Sequence, residues 1–93
     1  MSLQVRFTSQ FKKDYQLAMR RGRKMDALDA VIGLLAREEP LPERCRDHAL
    51  SGNFKGFREC HVEPDWLLIY AVEKRVLTLT LVRTGTHSDL FNK

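Results

Sequence analysis

The chain has 93 residues, a net charge of +4 and a hydrophobic content of 43%. This length predicts a single domain over residues 1–93 with a modest core, so a functional site would lie on an open face rather than in a deep pocket. The positive net charge favours a polyanionic partner such as nucleic acid, although simple solubility explains the charge as well. The sequence has neither a signal-peptide core nor roughly 20 consecutive apolar residues, so we expect neither a secreted nor a membrane-spanning protein.

The first part of the sequence predicts one strand followed by two helices. Apolar and polar residues alternate in LQVRF, which indicates a half-buried strand. A helix capped by Thr8 or Ser9 follows, and it ends at Gly22, a residue type that readily adopts a left-handed conformation. A second amphipathic helix, from Met25 to Leu35, completes an antiparallel helical hairpin.

The second part of the sequence predicts three strands joined by tight turns. Residues 38–55 form a polar, irregular loop, and the strands FRECHV, WLLIYAV and VLTLTLV follow, separated by the turns EPD and EKR. Thr86 or Ser88 can cap a final helical turn in RTGTHSDLF. The predicted fold class is therefore α+β, in the order β-α-α-β-β-β. It has a mainly antiparallel four-stranded sheet, the helical hairpin on one face, a more open opposite face and a short C-terminal helical turn.

Three histidines lie near strand ends of the predicted sheet, where His48, His61 and His87 can converge at one edge. Together with Asp65 they would be numerous enough to bind zinc, but no H-E-x-x-H or C-x-x-C pattern accompanies them. We therefore expect neither a metal ion nor another cofactor. Cys60 adjoins His61 in a strand, where neighbouring side chains point to opposite faces, so we expect a buried free thiol rather than a nucleophile.

The same residue types support metal-free cleavage of RNA, in which the 2′-hydroxyl attacks the adjacent phosphate. Imidazoles suit both proton transfers because they titrate near neutral pH, cations stabilise the phosphorane, and aromatic rings stack on unpaired bases. The residues that supply these groups are His48, His61, Asp65, His87, Lys55, Arg58, Arg83, Trp66 and Phe91. Each also has an ordinary structural interpretation, such as a surface histidine, a turn aspartate, an ion-paired arginine or a core tryptophan.

Three long motifs carry a resemblance to a known family: D-H-x-L-x-G-x-x-K-G-x-R, H-V-E-P-D-W-L-L-I-Y and R-T-G-T-H-x-x-L-F. With them the chain resembles, along essentially its whole length, the YafQ toxins of the RelE/ParE superfamily, the toxin halves of bacterial type II toxin–antitoxin modules. The resemblance implies a RelE-like fold and a ribosome-dependent endoribonuclease of the bacterial cytoplasm that cuts mRNA in the A site. It also implies a cognate, DinJ-like antitoxin, through which the complex binds operator DNA.

The resemblance further implies catalytic roles for four positions. His87 matches the residue usually given the main proton-transfer role and is expected to donate a proton to the leaving 5′-oxygen. His48 and Asp65 match further catalytic positions, and one of them is expected to help remove the proton of the 2′-hydroxyl. His61 matches a further catalytic position and is expected to steady the phosphate. Glu59 stands where the family has an aspartate, which keeps the charge on a longer side chain.

The remaining matched positions are expected to hold the RNA. Phe91, with Trp66 as the second candidate, stacks on or positions a base. The cations expected to contact RNA phosphates are Lys55, Arg58 and Arg83.

A cluster of basic residues lies on and after the first predicted helix. Its members are Lys12, Lys13, Arg20, Arg21, Arg23 and Lys24. Under the resemblance we expect this cluster to contact ribosomal RNA, whereas a solvated helix face is the plain interpretation. Contacts to phosphates weaken as salt rises, so the first interpretation predicts ribosome binding that falls with ionic strength.

Two other functions are compatible with the same fold. A non-catalytic member would only bind its antitoxin or operator DNA, and a ParE-type toxin would inhibit gyrase. The presence of all three histidines argues against the non-catalytic alternative. The ParE branch does not use this histidine set, so the H-V-E-P-D-W motif argues against the gyrase inhibitor. Because one fold hosts many functions, only the site can separate them.

Overall fold

The computed structural model describes residues 2–91 and folds them into a five-stranded sheet with three α-helices. The strands are β1 (Gln4–Phe7), β2 (His48–Ala49), β3 (Arg58–Glu63), β4 (Trp66–Glu73) and β5 (Thr78–Gly85). The helices are α1 (Ser9–Arg20), α2 (Met25–Ala36) and α3 (His87–Phe91). None of these helices is long and apolar enough to cross a membrane. The sheet order is β1-β5-β4-β3-β2, with β1 parallel to β5 and the other neighbours antiparallel, which confirms the predicted α+β class.

The sheet has one strand more than the sequence predicted. The additional strand is β2, which lies in the segment expected to be irregular and pairs with β3 through His48 opposite Glu59 and Ala49 opposite Arg58. Two residues are too few for an alternation pattern, so periodicity could not show this strand. The pairing fixes His48, one of the predicted site residues, beside β3.

The first helix is anchored to the last strand by its N-cap. Oγ1 of Thr8 accepts the Phe11 N–H at 2.9 Å, and the same hydroxyl donates to the Val82 carbonyl at 2.7 Å. Thr8 rather than Ser9 is therefore the cap of α1. At the other end the chain passes through Gly22 with φ of +75°, a left-handed conformation that glycine adopts at little cost, as predicted.

The core lies between the helical hairpin and one face of the sheet. Its fully buried members come from α2, β3, β4 and β5 and include Leu28, Cys60, Trp66, Leu68 and Leu79. Cys60 faces this core as predicted, and burial raises the pKa of its thiol, so the thiol stays protonated. Truncation of Leu28, which has 0% of its surface exposed, would cost roughly 2–5 kcal/mol of stability.

Alternation along β3 sends neighbouring side chains to opposite faces of the sheet. Cys60 points into the core, so Glu59 and His61 lie on the second face. Strand pairing continues this face across the sheet, because His61 is opposite Leu67 and Leu67 is opposite Gly85.

Helix α3 lies across part of this second face, over Gly85. A Cβ atom on Gly85 would approach Asp89 Cβ to 3.0 Å and Leu90 Cδ2 to 3.4 Å. Leu67 and Ile69 are fully buried although they lie outside the main core. The second face is therefore less open than the sequence predicted, and the site described next lies beside α3.

Candidate active site

His61 lies near the end of β3, beside a tight turn. Pro64 and Asp65 form this turn, as predicted, and the register of the β3–β4 pair shifts between His61 and Glu63. Nδ1 of His61 lies 3.2 Å from the Pro64 carbonyl oxygen. A carbonyl oxygen can only accept, so Nδ1 carries the hydrogen of the neutral ring and Nε2 is left as a proton acceptor.

Asp65, in the same turn, holds His87 by two hydrogen bonds. Its Oδ1 accepts the backbone N–H of His87 at 3.0 Å and the Nδ1–H of the ring at 2.7 Å. Both bonds favour the ionised carboxylate: the pKa of Asp65 is lowered, first by the backbone bond from His87 and then by the ring bond. A single oxygen therefore orients the His87 ring and binds the first N–H of α3.

The position of His87 also depends on the capping of α3. Oγ1 of Thr86 accepts the Asp89 N–H, and Oδ2 of Asp89 accepts the Thr86 N–H, each at 3.0 Å. This reciprocal capping box confirms Thr86, rather than Ser88, as the capping residue. Arg21 donates to Asp89 at 2.7 Å and, as the largest cause, lowers the pKa of that carboxyl to about 2. These contacts join α3 to the end of α1.

The rings of His61 and His87 are neighbours at the protein surface. Their centroids are 5.7 Å apart and their planes are inclined by 58°. Nδ1 of each ring is bonded to an oxygen, so Nε2 of each ring is the nitrogen available for proton exchange. The His87 side chain is 47% exposed, which leaves the pair open to a large substrate. Two imidazoles in this arrangement, one neutral and one protonated, can remove one proton and donate another across a single phosphate.

His48 lies on the same face of the sheet, one strand away. It is opposite Glu59, and Glu59 is two residues before His61 on β3, so the three side chains share the second face. Nδ1 of His48 donates to the Arg46 carbonyl at 2.7 Å, and Nε2 lies 3.5 Å from Oε1 of the buried Glu59. Glu59, which stands where the family has an aspartate, therefore orients His48 through its carboxylate.

An aromatic cluster lies at the C-terminal end of α3. The Phe91 ring meets the edge of Phe54 with centroids 5.7 Å apart, and Phe54 contacts Phe57 at 6.5 Å. Phe91 is one helical turn after His87, so it shares a face of α3 with that ring. Sequence reasoning missed Phe54 and Phe57, although the G-N-F-K-G-F segment places two phenylalanines between glycine turns.

Comparison with known proteins places the chain in a family. The model of a family described as bacterial toxins of type II toxin–antitoxin systems, YafQ, matches residues 3–92. The chain belongs to the YafQ toxin family. The histidine pair, the Asp65 turn and the capped α3 lie within the residues that this family model matches.

Individual relatives cover nearly the whole chain. The mRNA interferase toxin YafQ of Escherichia coli K12 is 42% identical over 88 residues, which are 94% of this chain and 94% of that protein. YafQ in the crystal structure of the E. coli DinJ–YafQ toxin–antitoxin complex superposes with a TM-score of 0.88 at 40% identity and covers 98% and 99% of the two chains. A metal-bound toxin from Helicobacter pylori superposes with a TM-score of 0.90 at 44% identity and covers 96% and 99%.

The metal-bound H. pylori relative raises the question of which groups here could hold a metal. Within residues 2–91, no three His, Cys, Asp or Glu side chains are grouped so as to hold one. His61 and His87 offer two imidazole nitrogens, one fewer than the three protein ligands typical of a catalytic zinc site.

Trp66 does not take the stacking position that the sequence suggested for this YafQ-family chain. Its side chain is fully buried in the core, because it is the first apolar residue of a strand with neighbours on both faces. The Arg23 guanidinium lies over the ring at 5.3 Å from its centroid, within cation–π range. Trp66 therefore supports the turn before it and is not available to stack on a base, so Phe91 remains the candidate.

Arg83 is bound within the protein rather than facing a substrate. Its Nε and Nη2 donate to the two carboxylate oxygens of Asp14, each at 3.0 Å. Asp14 is buried and also accepts the Thr84 N–H at 3.2 Å. The expectation that Arg83 steadies the phosphate is therefore not supported, because its guanidinium fork already neutralises a buried carboxylate.

Arg58 lies on the wrong face of the sheet for contact with RNA at the histidine pair. It precedes Glu59 on β3, so alternation directs it to the face opposite His61. Its Nε donates to Asp47 at 3.3 Å, and the Tyr70 hydroxyl donates to the same carboxylate oxygen. This bonding anchors the residue that precedes His48, so Arg58 contributes to the site indirectly.

Most of the remaining predicted cations are exposed. Lys55 follows the turn Gly52–Phe54, next to the aromatic cluster. Within the basic cluster of α1, Arg21 pairs with Asp89 at 2.7 Å and Arg23 lies 3.7 Å from Glu63. The exposed members of that cluster without an ion pair among residues 2–91 are Lys12, Lys13, Arg20 and Lys24.

Proposed function

We propose that this protein is the toxin of a type II toxin–antitoxin module and that it is a ribosome-dependent endoribonuclease acting on mRNA in the A site. The observation that carries the proposal is the His61–His87 pair, in which Nε2 is available on both rings and Asp65 orients one of them. Membership of the YafQ family and the name of the E. coli relative support it. Such an enzyme works in the bacterial cytoplasm, where translation takes place.

In the proposed reaction the 2′-oxygen attacks the adjacent phosphorus and the bond to the 5′-oxygen breaks. Neutral His61 takes the proton of the 2′-hydroxyl through Nε2, and protonated His87 gives a proton to the departing 5′-oxygen. The products are a 2′,3′-cyclic phosphate and a 5′-hydroxyl, so the protons balance without a metal ion. Asp65 is a positioning residue, since its bonds to His87 fix the ring orientation.

His61 replaces His48 and Asp65 as the proposed base for geometric reasons. Oδ1 of Asp65 already accepts two hydrogen bonds from His87. The ring nitrogens of His48 face a backbone carbonyl and Glu59. We therefore propose that His48, held by these two contacts, borders the RNA on the second face and transfers no proton.

The exposure of the site supports the proposed dependence on the ribosome. His87 is half exposed and belongs to a five-residue helix at the surface, so this protein alone orients RNA weakly. Correct orientation of reacting groups is worth about 7–11 kcal/mol of a reaction barrier. A ribosome that holds one codon against the histidine pair would supply that orientation.

We also propose that a DinJ-like antitoxin neutralises this toxin and that operator DNA is bound only through the complex. The support is the solved complex of DinJ with a YafQ that is 40% identical to this chain over 98% of its length. Binding would block the reaction by preventing the toxin from entering the ribosome.

The proposal is tested by cell-free translation of a defined mRNA with mapping of new 5′ ends. We expect cuts at discrete codons with the wild type, only when ribosomes are present, and none with His87→Gln. Glu73→Gln, an exposed substitution at the distant end of β4, is the control and should cut normally. Cutting by His87→Gln would contradict the assigned acid. No cutting by the folded wild type would favour a non-catalytic binder or a gyrase inhibitor.

A further inference from the structure

A basic groove opens beside the histidine pair. It has a volume of about 720 Å³, and its lining includes Lys24, Arg44 and Arg46 together with His61, Glu63 and Pro64. His61 is thus shared by the groove and by the pair that it forms with His87. We call this feature the basic groove.

The charges of the basic groove are free to meet a ligand. Lys24, Arg44 and Arg46 are exposed, and within the described residues none of them has a carboxylate oxygen within 4.0 Å. Glu63 is the acidic residue of the lining, and it lies 3.7 Å from Arg23. Three unpaired cations and one paired carboxylate leave the groove positive, which favours a polyanion.

The two arginines of the groove are held in place by a buried neighbour. The turn Glu43–Cys45 carries Cys45 into the core with 2% of its surface exposed. Arg44 and Arg46 flank this anchor, so their backbones are fixed while their side chains reach the surface. Preorganised cations lose less freedom on binding than cations on a mobile loop.

Arg46 also couples the groove to the catalytic face. Its φ of +47° lies in the left-handed region, which is costly for a residue other than glycine. In that conformation its carbonyl accepts Nδ1–H of His48 at 2.7 Å while its side chain lines the groove. The left-handed backbone of Arg46 therefore allows its carbonyl to bind His48 while its side chain lines the groove.

We propose that the basic groove binds the phosphodiester backbone of the mRNA strand immediately next to the cleaved bond. This inference rests on the proposed function. Because His61 belongs to the lining of the groove, the phosphates adjoining the one being cleaved are the polyanion nearest to the groove. Its charged lining recognises phosphates rather than bases, so the groove contributes affinity and alignment but no codon preference.

The alternative source of phosphates is ribosomal RNA, and a binding cycle separates the two. The ligands are ribosomes programmed with mRNA that ends after the P-site codon, or with mRNA that extends through the A site. The toxin carries His87→Gln to prevent cleavage, with or without Arg44→Gln and Arg46→Gln. The matched control replaces two exposed cations of the β4–β5 turn, Lys74→Gln and Arg75→Gln.

The toxin with an intact groove should bind ribosomes carrying the extended mRNA more tightly than ribosomes carrying the shorter mRNA. The groove substitutions should reduce this gain in affinity about tenfold. They should also lower the salt slope of binding to the extended complex by about 1.4, since each phosphate contact on a single strand contributes about 0.7. The control pair should change neither quantity.

Two outcomes would overturn the groove assignment. Equal losses on both kinds of ribosome would mean that the groove contacts ribosomal RNA, and no loss beyond the control would mean that it contacts neither RNA. Failure of the toxin with an intact groove to bind either ribosome would instead contradict the proposed function. A thermodynamic cycle isolates the groove contribution because the same substitutions are compared on two ligands.

Discussion

One oxygen atom controls the orientation of the proposed acid. Oδ1 of Asp65 contacts both the backbone and the ring of His87, and the lowered pKa of Asp65 keeps it ionised at neutral pH. Loss of this charge should therefore affect chemistry more than folding, because Asp65 is exposed and lies in a turn.

We predict that Asp65→Asn lowers the single-turnover cleavage rate by about 10–100-fold. An amide oxygen can still accept from His87, but it no longer places a negative charge beside the imidazolium, and general acid catalysis contributes roughly 10²–10⁴-fold in total. Affinity for programmed ribosomes and the free energy of unfolding should stay unchanged, as in the control Glu73→Gln. A rate equal to that of the wild type would remove Asp65 from the mechanism.

Sequence reasoning about single residues succeeded where a local rule applied. The strand alternation that buries Cys60 and the capping of α1 by a hydroxyl follow from neighbours in the chain. The predicted stacking of Trp66 on a base was wrong, and the predicted contact of Arg83 with a phosphate is not supported. Both side chains are surrounded by residues that are distant in sequence. Asp14, the partner of Arg83, precedes it by 69 residues, and no local pattern reports that contact.

At the level of secondary structure, the packing of the short helix α3 determines where His87 lies. It begins with His87, lies over Gly85 and is joined to α1 through Asp89. Five residues form too short a helix to be stable alone, so these contacts hold the ring of His87 beside His61.

We predict that Gly85→Ala lowers cleavage by at least about tenfold while changing stability little. The added methyl group would lie 3.0 Å from Asp89 Cβ, so α3 must shift and carry His87 away from its partner. Gly33→Ala is the matched control, since its methyl group would meet only the flexible end of Arg37 and should stabilise α2 by about 0.5–1 kcal/mol. Equal activity of the two variants would show that α3 does not position the site.

The docking of α3 should also depend on pH, within a defined range. The folded pKa of Asp89 is about 2, below its ordinary value of 3.8, chiefly because of the bond from Arg21. Its stabilising contribution is therefore fully present above about pH 4 and is lost as pH falls towards 2. We expect NMR signals of Phe91 to report undocking in that interval in the wild type. In Asp89→Asn the same signals should show undocking already at neutral pH, and a docked helix there would contradict this role.

The elements themselves were largely predictable, and their contacts were only partly so. Long periodic patterns gave both helices of the hairpin and the three C-terminal strands, whereas the two-residue β2 left no pattern to detect. The position of α3 across the second face was also missed, because it depends on a close approach at Gly85 rather than on periodicity.

At the scale of the whole molecule, a partly buried ion pair joins the first helix to the last strand. Arg83 of β5 donates two hydrogen bonds, each of 3.0 Å, to the carboxylate of Asp14 in α1, which is 8% exposed. The side chains of the proposed site come from three separate segments, around His48, His61 and His87, so the site depends on this global arrangement.

We predict that Arg83→Gln lowers the free energy of unfolding by roughly 2 kcal/mol, because it leaves a buried carboxylate without its cation. The double variant with Asp14→Asn should recover part of this loss. Cleavage by the folded fraction should stay within about threefold of the wild type, since the guanidinium is not proposed to contact RNA. A large loss of cleavage with unchanged stability would show that Arg83 takes part directly in the reaction.

In the proposed mechanism His87 protonates the leaving oxygen while His61 acts as the base. The most direct test is single-turnover cleavage, on the ribosome, of an mRNA whose scissile 5′-oxygen is replaced by sulfur. A thiolate leaves without a proton because thiols are far more acidic than alcohols, with a pKa of about 8.5. His87→Ala should be slowed at least about 100-fold on the oxygen substrate and rescued to within about tenfold of the wild type on the sulfur substrate. His61→Ala should stay slow on both, and rescue of His61→Ala or no rescue of His87→Ala would contradict the assignment.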